Sequence, residues 1–177
     1  MAASSTSVLR SLTQQEIIDL GQESSNISFW KRSWRQDDLL PGTVHFVKFV
    51  NDQSQVIYDN LNQFPATQSL IESISPNSKI GRIHWYRFLP MERLGPYSWA
   101  AHYFLQNNLL LHRYHILLNL PNTFALRIDN NFVTDVSIYN NKVLDLALGQ
   151  EHFFFNISST PTYMLMIDIL DPSVVLN

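Results

Sequence analysis

The chain contains no cysteine, which excludes disulfide cross-links, thiolate metal centres and a cysteine nucleophile. Charge is scarce too: 15% of the 177 residues are charged, and the net charge is −3. With an isoelectric point near 6.0, no global field draws the chain to nucleic acid or to acidic membranes. No run approaches the roughly 18 apolar residues that span a bilayer. The opening MAASSTSVLRSLTQQ has no continuous apolar stretch of the kind a secretion signal carries. The expectation is a soluble, cytoplasmic protein, in which the NIS triplets at Asn26 and Asn156 have no glycosylation role. Repeats and low-complexity segments are absent as well.

What is present is a hydrophobic fraction of 45%, enough for a full core in one structural domain. Residues 1 to 10 are small and polar and read as a frayed end. Thr13 and Glu16 form a capping-box pattern that opens a short helix closed by Gly21. Val44 to Val50 reads as a strand, and SQVIYDNLNQF has apolar residues at helical spacing. Pro65 fits the first residue of another helix, PATQSLIESIS. After Pro76 come seven short β-rich runs: IGRIHWYRFLP, LLLHRYHILLNLP, FALRI, FVTDVSIY, KVLDLAL, EHFFFNI and TYMLMIDIL. Such a series points to a sandwich or jelly roll. The fold class is therefore α+β. Residues 1 to 80 form an N-terminal helical extension with the first strand or strands, packed on a β core of residues 81 to 177.

RYHILLNLP, residues 113 to 121, poses the chemical question. On a strand Arg113, His115, Leu117 and Asn119 share one face, and Tyr114, Ile116, Leu118 and Leu120 the other. A buried arginine beside a histidine is costly unless an anion meets it. Two further histidines frame this strand in the chain: His102 in SWAAHYF and His152 in GQEHFFFN.

The order of these pieces resembles the aspartyl/asparaginyl β-hydroxylase family of iron(II)- and 2-oxoglutarate-dependent oxygenases. The family motif is a metal-binding histidine, an R-x-H strand ending in proline, a G-K-V-L-x-F-x-x-x-x-E-H-x-x-x-N segment, and a last strand with an aspartate before a proline. Here these read SWAAH, RYHILLNLP, NKVLDLALGQEHFFFN and MLMIDILDP, over roughly half of the chain. The resemblance implies a double-stranded β-helix, a cupin-like jelly roll. It implies iron(II) held by His102 and His152, and 2-oxoglutarate whose carboxylates meet Arg113 and His115. It further implies hydroxylation of an amino-acid, peptide or protein side chain, with Asn156 and Glu151 orienting His152. Neutral imidazoles suit iron(II), and open coordination positions suit the oxo acid and dioxygen.

Two positions depart from the pattern. Phe104 stands where the enzyme class places a carboxylate ligand, two residues after His102. Thr162 stands ten residues after His152, where the family places an arginine for the far carboxylate; Arg127 and Tyr163 are the candidate substitutes. A rival expectation follows, in which the scaffold persists without the reaction and Arg113 pairs with Asp168 or Asp145. A third is an interaction module whose exposed tryptophans, Trp30, Trp34, Trp85 and Trp99, bind a peptide or glycan.

Overall fold

A computed structural model describes residues 6–28, 30, 42–45, 47–50, 55–58, 61–97, 110–129, 131–146 and 151–173. The helices are α1 (Gln14–Asn26) and α2 (Pro65–Ile74). The early strands are β1 (Ser7–Ser11), β2 (Gly42–His45), β3 (Val47–Val50) and β4 (Gln55–Tyr58). The later ones are β5 (Lys79–Phe88), β6 (Arg93–Tyr97), β7 (Leu110–Leu118), β8 (Phe124–Ile128), β9 (Asn131–Phe132), β10 (Lys142–Asp145), β11 (His152–Asn156) and β12 (Thr162–Leu170).

Thr13 caps α1 as its sequence indicates, and the Glu16 carboxylate in return accepts from the Thr13 amide at 2.7 Å. The helix does not stop at Gly21 but runs on to Asn26. A glycine inside a helix costs about 1 kcal/mol relative to alanine, and tertiary contacts outweigh that here. Leu20 and Ser24 are fully buried, and Glu23 reaches across to α2. The α2 N-cap, Phe64, offers no capping side chain. The Glu23 carboxylate instead accepts from the amides of Ala66 at 2.8 Å and Thr67 at 3.1 Å. Thr67 in turn accepts from the indole of Trp85 at 3.0 Å, tying both helices to the sheet.

Several sequence expectations give way. The opening residues are not simply frayed, because Ser7–Ser11 form a strand paired with β10. SQVIYDNLNQF is not one helix: Gln55–Tyr58 pair as a strand and only Leu61–Gln63 form a 3₁₀ turn. Val56, Ile57 and Tyr58 are β formers, and a short window cannot separate the two periods. FVTDVSIY contributes only Phe132 to the two-residue β9 and then forms a 3₁₀ turn at Val136–Tyr139, opened by Asp135 accepting from the Ser137 amide at 3.0 Å.

The strands form a six-stranded sheet ordered β1-β10-β7-β12-β5-β2, a four-stranded sheet ordered β6-β11-β8-β9, and the hairpin β3-β4. Every pairing is antiparallel. From β5 to β12 the chain passes back and forth between the two larger sheets, a jelly-roll-like arrangement. One face of the larger sheet packs Tyr114, Ile116, Leu118, Leu165 and Ile167 against α1 and α2. Its other face packs Leu117, Leu144, Met164 and Met166 against Leu126 and Phe154 of the smaller sheet.

A bulge on β5 interrupts its pairing with β12 beside Asp168. Ile167 registers with Ile83 and Ile169 with Ile80, so Gly81 and Arg82 together stand opposite Asp168. A Cβ on Gly81 would lie 2.8 Å from Leu170 Cδ2 and 3.1 Å from Asp168 Cβ. Gly81→Ala is expected to lower stability by roughly 1–3 kcal/mol through overpacking. Urea denaturation measures it, and an unchanged midpoint would mean that the bulge tolerates a side chain.

Candidate active site

The space between the two larger sheets is sorted by polarity along its length. At one end Phe88, Phe124 and Phe154 pack edge to face or tilted, with ring centroids 5.7 and 6.5 Å from Phe88. At the other end the same alternation that buries Phe88 and Leu117 turns Arg82, His84, Arg113, His115 and Asp168 inward. His152 of β11 faces them from the smaller sheet.

Arg113 is 4% exposed and Asp168 fully buried. The two are cross-strand neighbours on β7 and β12, and they pair fork to fork. Arg113 Nη2 donates to Asp168 Oδ2 at 2.7 Å, and Nε donates to Oδ1. The anion that meets Arg113 is thus a carboxylate of the protein itself. Asp145, the other candidate, pairs with His112 on the outer face at 2.8 Å.

His115 and His152 come together. Their ring centroids are 5.6 Å apart with planes at 58°, and Phe154 stands 5.5 Å from each. Burial, with His152 and Arg113 nearby, holds the His115 imidazole well below the ordinary histidine range, so it is neutral. His152 registers opposite Tyr97, the last described residue before the segment that carries His102. His102 and Phe104 themselves lie outside the described residues.

Three inward residues of β5 escaped the sequence reading. Burial lowers the Arg82 guanidinium to about 10, against the opposing pull of Asp168. His84 Nδ1 lies 3.0 Å from the Tyr86 hydroxyl, which lies 3.9 Å from the Met166 sulfur. Met166 is the cross-strand neighbour of both His84 and His115. The period-two pattern of GRIHWYRF carried this signal, since Arg82, His84 and Tyr86 alternate with apolar residues.

Other proposed roles fall away. Asn156 sits at the far end of β11 from His152. Its amide donates to the carbonyls of Phe88 and Thr160 while its oxygen accepts from Ser158, so it fastens the turn into β12 and does not orient His152. Glu151 pairs with Arg127, whose guanidinium also lies 5.9 Å from the Phe153 ring on the outer face of the smaller sheet. Neither orients His152 nor replaces the missing arginine. Tyr163 points to the helix side, 6.0 Å from Trp30. Thr162 is buried opposite Phe88 at the apolar end, and its hydroxyl has no hydrogen-bond partner among the described residues. Trp85 is fully buried core and not a docking aromatic; Trp34 and Trp99 lie outside the described residues.

The donor chemistry at the ionisable end fits a divalent metal as far as the described residues go. It offers the inward imidazoles of His115 and His152, 5.6 Å apart between ring centroids, and that of His84 on β5, though no cluster of three or more metal-ligating groups among the described residues. For an oxo-acid carboxylate the fit is shared, because the Arg113 fork is already matched to Asp168.

No family model and no curated protein sequence matches the chain. Solved structures do. An oxidoreductase of the 2OG-Fe(II) oxygenase family from Burkholderia pseudomallei superposes with a TM-score of 0.66 at 11% identity, covering 93% of this chain and 84% of its own. A Pseudomonas putida prolyl-4-hydroxylase gives 0.57 at 12% identity, covering 94% and 92%. At such identities the likeness establishes a shared fold.

Asp168→Asn leaves the Arg113 charge buried without its counter-ion. It is expected to cost about 3–5 kcal/mol, read by chemical denaturation. A loss under about 1 kcal/mol, the scale of an exposed pair, would show that the guanidinium reaches water.

Proposed function

We propose that the chain is an iron(II)- and 2-oxoglutarate-dependent oxygenase that hydroxylates an amino-acid or peptide side chain, of the aspartyl/asparaginyl β-hydroxylase type. One observation carries this: His152, in the motif position of a metal-binding histidine, turns into the interior beside the R-x-H histidine, His115. The oxygenase-like fold and the chain's passage between sheets from β5 to β12 support a double-stranded β-helix for residues 81 to 177, with residues 1 to 80 packed on it.

In this reading His102 and His152 hold the metal, and Arg113 and His115 face the carboxylates of the cosubstrate. Iron(II) with 2-oxoglutarate, which is itself oxidised and decarboxylated, would activate dioxygen as the oxidant that places oxygen into a C–H bond. The chain's own residues supply the enclosure. Asp168 holds the Arg113 guanidinium in one plane, so an arriving anion meets a preset donor and shares it with a carboxylate already there. Phe154, Leu117 and Met164 close the floor against water. Without an arginine at position 162, cosubstrate affinity falls by one charge-assisted contact, worth roughly 1.5–3 kcal/mol, or one to two decades.

The Arg113–Asp168 pair also favours a second reading, a jelly-roll relative that kept the scaffold and serves as a binding or structural module. Anaerobic addition of iron(II) and 2-oxoglutarate separates the two. The oxygenase reading expects a weak visible charge-transfer band that disappears in His152→Ala. No band at saturating ligand would leave the scaffold reading.

A further inference from the structure

We propose that the cleft between α1 and α2 docks an arginine side chain of a peptide or protein partner. The cleft lies on the helix side of the six-stranded sheet, across that sheet from the ionisable interior, and its role is independent of the oxygenase reading.

The cleft measures about 560 Å³, within the roughly 300–1,000 Å³ of ligand-binding clefts. Its floor is apolar: Ile27 closes α1 and Phe64 precedes α2, both buried, with Pro65 beside them. Asp19 and Glu23, one turn apart on α1, line it as well, and no lysine, arginine or histidine does.

Two like charges at i and i+4 of a helix lower its stability. Among the described residues neither carboxylate is ion-paired. Glu23 cannot turn away, because its oxygens accept from the amides of Ala66 and Thr67 and from the Thr67 hydroxyl. Burial raises its carboxyl above the ordinary glutamate value, and Asp19 adds to the rise. A repulsion fixed into a rigid surface in this way is relieved by a cation from outside.

Arginine satisfies the whole lining. Its methylene stem covers Ile27 and Phe64, while its five N–H donors reach the carboxylates and the side-chain carbonyls of Gln22 and Asn26. A metal ion gains nothing from the apolar floor. A neutral apolar segment strips water from Asp19 and Glu23 and returns no hydrogen bond.

Chemical-shift mapping with the peptide N-acetyl-Ala-Arg-Ala-amide tests the assignment. The same peptide with citrulline is the control, since citrulline keeps the shape of the side chain and loses its charge. The arginine peptide is expected to move the amide signals of residues 19 to 27 and 63 to 69, and the citrulline peptide to bind at least about fivefold more weakly. Asp19→Asn leaves the Glu23 contacts to α2 in place and is expected to weaken the arginine peptide about two- to fivefold. Absence of shifts, equal binding of the citrulline peptide, or unchanged affinity in Asp19→Asn would each overturn the assignment. So would shifts spread over other surface acids such as Glu72, which mark nonspecific attraction.

Discussion

The buried Arg113–Asp168 ion pair organises the ionisable end of the two-sheet interior. Either partner alone in the interior would carry a penalty of several kcal/mol, and their fork-to-fork contact offsets it only because the two groups are held in one plane. That geometry has structural requirements. Arg113 and Asp168 must be cross-strand neighbours on β7 and β12, and the bulge opposite Asp168 must admit Gly81 without a side chain. The pair thereby fixes which way the inward faces of both strands point. His115 and Met166 follow, and beyond them the interior is apolar.

The same pair shapes what the site can do. A guanidinium already bound to a carboxylate is rigid, which suits positioning, but it is also partly neutralised, which weakens its hold on a second anion. The metal subsite of the proposed function would not share that handicap, because His152 is separate from the fork. Attenuated cosubstrate binding is thus the form in which the proposed reaction would persist. Arg82, drawn down to about 10 by burial near Asp168, adds a second guanidinium to the same end.

Alternation made much of this legible in the sequence. RYHILLNLP showed that Arg113, His115 and Leu117 share a face, and the capping box and Pro65 located the starts of both helices. The partner of Arg113 was visible only as a choice between Asp168 and Asp145, since register decides it and register is a property of the folded sheet. Asn156 and Glu151 were misassigned because adjacency to His152 in sequence says nothing of which end of a strand, or which face, a side chain occupies. Arg82, His84 and Tyr86 were readable from period two, within a segment read only as a β-rich run. The run of Val56 to Tyr58 was lost to the opposite error, a helical period seen in too short a window.

The central claim is spatial: one cation-binding position inside the two-sheet interior, beside an intact Arg113–Asp168 pair. Anomalous diffraction at the manganese edge, from crystals grown with Mn(II), tests it most directly. The account predicts one strong peak in bonding range of His152 between the sheets. A peak confined to surface carboxylates, or no peak at all, would contradict it.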